Sequence, residues 1–184
     1  MAHVLLISGS LRSGSTNTAL LATARATAPA GVEATVYGDL ARLPHFNPDD
    51  DLEGQPVDPA VADLRAAIAR VDALLFCTPE YAGALPGSFK NLLDWTVGGG
   101  ETYGKPVAWV NVSGPAAPTG GAGAHAELRT VLGYTGALIV EDACLRLPVS
   151  RAAIGPDGLI ADQPIRAAVS ATLATLAAAA ASAG

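Results

Sequence analysis

Residues 8 to 18 read SGSLRSGSTNT, setting the hydroxyl and amide side chains of Ser10, Ser13, Ser15, Thr16, Asn17 and Thr18 around Gly9 and Gly14, with one cation, Arg12. Such donors at the start of a helix suit a phosphate dianion, because unpaired backbone N–H groups and the helix dipole favour negative charge there. Arg12 adds a charge-assisted contact. A simple N-cap also prefers Ser, Thr and Asn, but it needs far fewer than six such residues.

Two nucleotide motifs come close to this loop and fail. Gly9, Gly14 and Thr16 fit G-x-x-x-x-G-K-[ST], except that Ser15 stands where a lysine must reach the β- and γ-phosphates. The dinucleotide fingerprint G-x-G-x-x-G breaks at Leu11, whose side chain would keep a pyrophosphate from the backbone. A mononucleotide with one terminal phosphate fits better than a triphosphate or a dinucleotide.

Two further loops carry unusual residues: TPEYAGALPG (78–87) and SGPAAPTGGAG (113–123). Pro79, Glu80, Tyr81, Ala82 and Gly83 could lay peptide N–H groups and an aromatic ring along a flat ligand. Packing would explain a lone Tyr81 equally well. In the third loop, Ser113, Gly120 and Gly121 allow backbone to approach a ligand closely, or simply form a surface loop.

The elements that must position these loops follow from hydrophobic periodicity. Short apolar runs at residues 3–8, Val32 to Tyr37, Ala73 to Cys77, Pro106 to Asn111 and Ala137 to Val140 predict five strands. Between them, helices are predicted from Thr16 to about Pro29, over Val61 to Val71, from about Pro86 to Thr96 and around Leu128 to Leu132. A last helix carries Ile165, Val169, Leu173 and Leu176, and residues 38–57 form an irregular crossing. Strands alternating with helices predict an α/β protein with a parallel sheet covered on both faces. In such sheets ligands bind outside the carboxyl ends of the strands, which is where the three loops fall.

Composition bounds the function. The 184 residues carry a net charge of −6, which leaves no cationic surplus for nucleic acid or an anionic membrane. Hydrophobic residues make up 50%, yet 38 are alanines, so the chain is richer in close-packed helix surface than in bulky core. No continuous apolar run approaches a membrane span, and Val4 to Ile7 is too short for a secretory signal. Cys77 and Cys144 stand far apart in apolar runs and indicate no disulfide framework. A single cytoplasmic domain spanning residues 1–184 is expected.

Other constellations fall short. His3, His45 and His125 are scattered. Asp49, Asp51 and Glu53 begin like a calcium loop, but Ala60 stands where the bidentate carboxylate is needed. No G-x-S-x-G elbow is present. Cys77 reads as a small apolar filler at a strand end.

GSLRSGSTNT, PEYAGALPGSFKNLLDW (79–95) and SGPAAPTGGAGAHAELR (113–129) together resemble the three signature segments of the NAD(P)H-dependent FMN reductases. The resemblance implies a flavodoxin-like three-layer sandwich with a five-stranded parallel sheet of order 2-1-3-4-5. It also implies bound FMN, NAD(P)H as co-substrate and a small acceptor such as a flavin, quinone, azo dye or metal oxyanion. By the same resemblance, Ser10, Arg12, Ser15, Asn17 and Thr18 would hold the phosphate. Pro79, Glu80, Tyr81, Ala82 and Gly83 would lie along the ring, and Ser113, Gly120 and Gly121 would close its other edge. Ala82 departs from the family's usual Asn. No side-chain acid or base is implied, because the flavin carries the chemistry. A homodimer or homotetramer is expected on the same ground. The competing function is a flavodoxin-type carrier passing single electrons between proteins, and a weaker one is a non-catalytic nucleotide-binding module.

Overall fold

The computed structural model describes residues 1–114 and 116–183; Pro115 of the third loop and Gly184 lie outside the described residues. Among the described residues, five α-helices and six strands follow along the chain: β1 (Ala2–Ser8), α1 (Thr16–Ala26), β2 (Val32–Tyr37), α2 (Pro59–Ala69), β3 (Ala73–Cys77), α3 (Gly87–Asp94), β4 (Pro106–Asn111), α4 (Ala122–Tyr134), β5 (Leu138–Ile139), β6 (Leu145–Arg146) and α5 (Gln163–Ala183). The sheet is parallel, in the order β2-β1-β3-β4-β5, with β6 also paired to β4. This is the flavodoxin-like three-layer arrangement expected from the sequence.

Side-chain alternation along the strands divides the core in two. Val4, Leu6, Leu75, Cys77 and Val110 face α1 and α5, joining Leu20, Leu21, Val169 and Leu173 in one apolar cluster. Leu5, Ile7, Leu74, Phe76 and Trp109 face the other way and join Leu64, Ile68, Phe89, Leu92 and Leu128 of α2, α3 and α4. Every residue of β3 and β4 is buried, as a strand covered on both faces must be. Although α5 is long and apolar enough to cross a membrane by length and composition, its Val169, Leu173 and Leu176 are fully buried in the cluster that the sheet shares.

Register sets the height of the loops. Ser8 lies opposite Cys77 and Phe76 opposite Trp109, so β1, β3 and β4 end close together at one edge. The N–H of Gly9 donates to the Cys77 carbonyl at 2.9 Å, fixing the exit of the first loop against the start of the second.

The fifth strand differs from expectation. Ala137 to Val140 contributes only a two-residue strand beside Pro106 and Val107, and a short turn at Glu141–Ala143 interrupts it. Beyond the turn, β6 pairs with Val110 and Asn111, taking up the same edge of β4 one step higher. Helix α1 also stops at Ala26, before the predicted Pro29.

The irregular crossing at residues 38–57 is fastened to α3. The Asn91 amide accepts the Phe46 N–H and donates to the Pro44 carbonyl, both at 2.8 Å, and the Trp95 indole N–H donates to that carbonyl at 2.9 Å. Asp51, part of the calcium-like run, instead pairs with Arg65 at 2.7 Å, while the same guanidinium donates to the Trp95 carbonyl. Lys90 pairs with Asp94 at 2.6 Å.

Candidate functional site

The first loop is tied to itself before it becomes helix. Ser15 caps α1: its hydroxyl accepts the N–H of Asn17 and the Asn17 side-chain amide, each at 3.2 Å. Ser10 accepts the N–H of Arg12 at 3.3 Å, and its own N–H donates to Ser8 at 3.2 Å. Asn17 is held from the strand side as well, since the Cys77 thiol donates to its Oδ1 at 3.3 Å. Burial pushes that thiol's pKa up, so it stays protonated and serves as a packed donor.

The second and third loops are locked to each other by two carboxylates running in opposite directions. Glu80 accepts the hydroxyl of Thr119 and the N–H of Ala124, the latter at 3.1 Å, and so caps α4 from across the cleft. That helix begins at Gly121, which has φ +82° and no side chain to serve as its own cap. In return Glu127 of α4 accepts the N–H of Leu85 in the second loop at 2.6 Å. Gly123 permits this close approach: a β-carbon there would stand 2.0 Å from the Gly83 carbonyl oxygen.

These contacts hold Glu80 ionised. The Thr119 hydroxyl foremost, then the backbone N–H groups at the start of α4, keep its carboxyl below the usual range. His125, one turn into α4, is pushed the other way for an imidazole: burial lowers its pKa to about 4, against the pull of Glu80, so it is neutral at pH 7. Its ring stands edge-on to Trp109, with centroids 6.0 Å apart.

At the end of β4, Asn111 pins both arms of the third loop. Its side-chain amide donates to the Gly120 carbonyl at 2.6 Å, and its oxygen accepts the Ser113 N–H at 2.8 Å.

The three loops enclose a cleft of about 410 Å³, lined by Ser10, Arg12, Ser15, Asn17, Pro79, Glu80, Tyr81, Ser113 and Gly121 among the residues expected from sequence. This lies in the size range of small-molecule sites, roughly 300–1,000 Å³. Four expected residues do not line it. Thr18 is exposed, with its hydroxyl 3.2 Å from that of Ser8. Ala82 and Gly83 form the tip of a turn closed by reciprocal backbone bonds between Tyr81 and Ala84. Gly120 offers its carbonyl to Asn111.

Residues 2–149 match the family of NADPH-dependent FMN reductases. The chain belongs to that family. As a member it is an FMN-dependent oxidoreductase with NAD(P)H as co-substrate. It is 42% identical to an NAD(P)H-dependent FMN reductase of Pseudomonas aeruginosa over 131 residues, 70% of this chain and 68% of that one. It is 31% identical to a quinone reductase of Escherichia coli strain K12 over 142 residues, 76% of this chain and 73% of the other. Among solved structures, FerB, a flavoenzyme NAD(P)H:(acceptor) oxidoreductase of Paracoccus denitrificans, superposes with a TM-score of 0.79 at 27% identity, covering 96% of this chain and 97% of FerB.

The donor set of the cleft fits the family's cofactor. Hydroxyls, an amide and a guanidinium gather at the start of α1, as a phosphate dianion requires. Beyond them, Pro79 and Tyr81 of the second loop and Ser113 of the third line the same cleft, whose two walls the carboxylates lock together.

Several lining residues had no strong signal in the sequence. Thr16 takes the place expected for Thr18, because the helical turn carries position 16 inward and position 18 outward. Thr119 was legible only as part of a glycine-rich loop. Val149 and Arg151 enter from the segment after β6, a strand that the apolar pattern did not reveal.

Proposed function

We propose that the cleft seats FMN with its phosphate at the first loop, held by Ser10, Arg12, Ser15 and Asn17, and its ring between Pro79–Tyr81 and Ser113–Gly121. The observation that carries this placement is the convergence of those residues on one cleft at the carboxyl ends of β1, β3 and β4. Thr18, Ala82, Gly83 and Gly120 act through the shape of the loops. When bound, FMN would supply the redox chemistry between NAD(P)H and a quinone or similar small acceptor.

The chain's own residues bind and orient. Ser15 and the free N–H groups of α1 meet the phosphate charge, Arg12 adds a charge-assisted bond, and the backbone from Pro79 to Tyr81 lies along the ring with the Glu80 N–H as its donor, since Pro79 has none and the Tyr81 N–H bonds the Ala84 carbonyl. Tyr81 is half exposed at the cleft mouth, where two substrates must enter in turn. Quinones are favoured as acceptors by the similarity to quinone reductases.

The functional unit is one domain spanning residues 1–184, acting in the cytoplasm, where the unpaired thiols of Cys77 and Cys144 remain reduced. It assembles as a homodimer or homotetramer, which light scattering of the purified protein would test. The functional test is steady oxidation of NADPH or NADH by the FMN-loaded protein with a benzoquinone acceptor. Absence of turnover, with FMN bound, would favour the electron-carrier alternative.

A further inference from the structure

The cleft holds a second guanidinium that lies outside the family's matched segment. Residues 2–149 carry the family match, and Arg151 follows it directly. The path of the chain explains how it arrives there. After β6 the backbone runs on beside β4, with the Leu147 N–H donating to the Asn111 carbonyl at 2.7 Å and the Val149 N–H to the Val112 carbonyl at 3.2 Å. It turns at Arg151–Ala153, and by Ile160 it has reached α1, where the Ile160 N–H donates to the Thr23 hydroxyl at 2.9 Å. The segment therefore crosses the top of the sheet on the face that carries α1, toward the helix whose first turn lines the cleft.

We infer that Arg151 is a second cation of the phosphate subsite, joining Arg12 in holding the FMN phosphate. This rests on the placement of FMN proposed above.

Charge on the cleft wall supports it. Arg12 and Arg151 both line the cleft, and among the described residues neither has a carboxylate within salt-bridge distance. Of the lining residues only Glu80 is acidic, and its oxygens are engaged by Thr119 and Ala124. In a chain of net charge −6, a cleft wall with two guanidiniums and no salt-bridge partner for either among the described residues is a local positive patch that favours an anion. A phosphate dianion satisfies both, and the guanidinium fork suits its oxygens.

The test is titration of the flavin-free full-length protein with FMN and with riboflavin, which has the same ring and ribityl chain but no phosphate, followed by flavin fluorescence. Arg151→Ala is expected to weaken FMN by about tenfold and to leave riboflavin within about twofold, with Arg151→Lys in between. Added salt should weaken FMN more steeply in the wild type than in Arg151→Ala. Three outcomes would overturn the assignment: unchanged FMN affinity in Arg151→Ala, equal loss for FMN and riboflavin, or an effect confined to the KM for NADPH. A wild-type protein that binds neither flavin would instead overturn the functional reading on which the assignment rests.

Discussion

The carboxylate of Glu80 accepts the backbone N–H of Ala124 at 3.1 Å, so a residue of the loop after β3 caps the helix that follows β4. The residue expected to lie along the flavin ring thus lines the cleft while its carboxylate ties the second loop to the third. Glu127 returns the favour by accepting the Leu85 N–H. Each wall of the cleft is held by a carboxylate from the other.

This reciprocal lock predicts coupled loss. Glu127→Gln weakens a charge-assisted bond to the N–H of buried Leu85 and should cost about 1–2 kcal/mol of thermal stability. Glu80→Gln should weaken FMN and riboflavin equally, by several-fold, because it moves the walls of the slot and leaves the phosphate subsite intact. If Glu80→Gln weakened FMN alone, Glu80 would have to touch the phosphate end.

At Ala82 the chain adopts φ +52°, a conformation that costs a β-carbon on the order of 1–2 kcal/mol. Asn, the family's usual residue here by resemblance, tolerates that region better than Ala. Ala82→Asn should raise the melting temperature, corresponding to about 0.5–1 kcal/mol. Ala82→Gly should gain less, since part of the relief is offset by unfolded-state entropy. A melting temperature lowered by both substitutions would show that the turn is not strained.

The phosphate loop predicts its own pattern. Ser10→Ala or Arg12→Ala should weaken FMN by roughly ten- to a hundredfold, through loss of a bond to a charged group worth about 1.5–3 kcal/mol. Calorimetric titration of each variant with FMN measures this, and unchanged affinity in both would place the phosphate elsewhere.

The pH dependence of stability has a defined sign. His125 is neutral in the fold, with its pKa lowered to about 4 from an ordinary 6.5, so the unfolded chain takes up a proton first as the solution is acidified. Its contribution is present in full above pH 6.5 and is lost as pH falls from there toward 4. Glu80, held low in the fold, adds a loss that begins near its ordinary carboxylate range and continues below it. His125→Gln should flatten the decline between pH 6.5 and 4, by on the order of 1–2 kcal/mol given the partly exposed ring. Urea melts at pH 7, 5.5 and 4.5 would read this out, and identical slopes for both proteins would remove His125 as a cause.

Buried strands were legible because their apolar runs are continuous: Ala73–Cys77 and Pro106–Asn111 are found at the predicted bounds. The three loops were legible because polar and glycine-rich stretches follow those strands directly. What escaped was set by tertiary contact. Leu145–Arg146 is too short to carry a pattern and exists as a strand only because β4 offers an edge. The inward turn of Thr16 and the outward turn of Thr18 depend on where Ser15 caps the helix. The orientation of Glu80 depends on a helix that starts 42 residues later with no cap of its own.

The most direct measurement is NADPH and NADH oxidation by the FMN-reconstituted protein with 1,4-benzoquinone as acceptor, compared with the same concentration of free FMN. Catalysed, saturable oxidation of either nicotinamide that depends on both bound FMN and quinone is the predicted result. A stoichiometric FMN complex that oxidises neither nicotinamide faster than free FMN would contradict it.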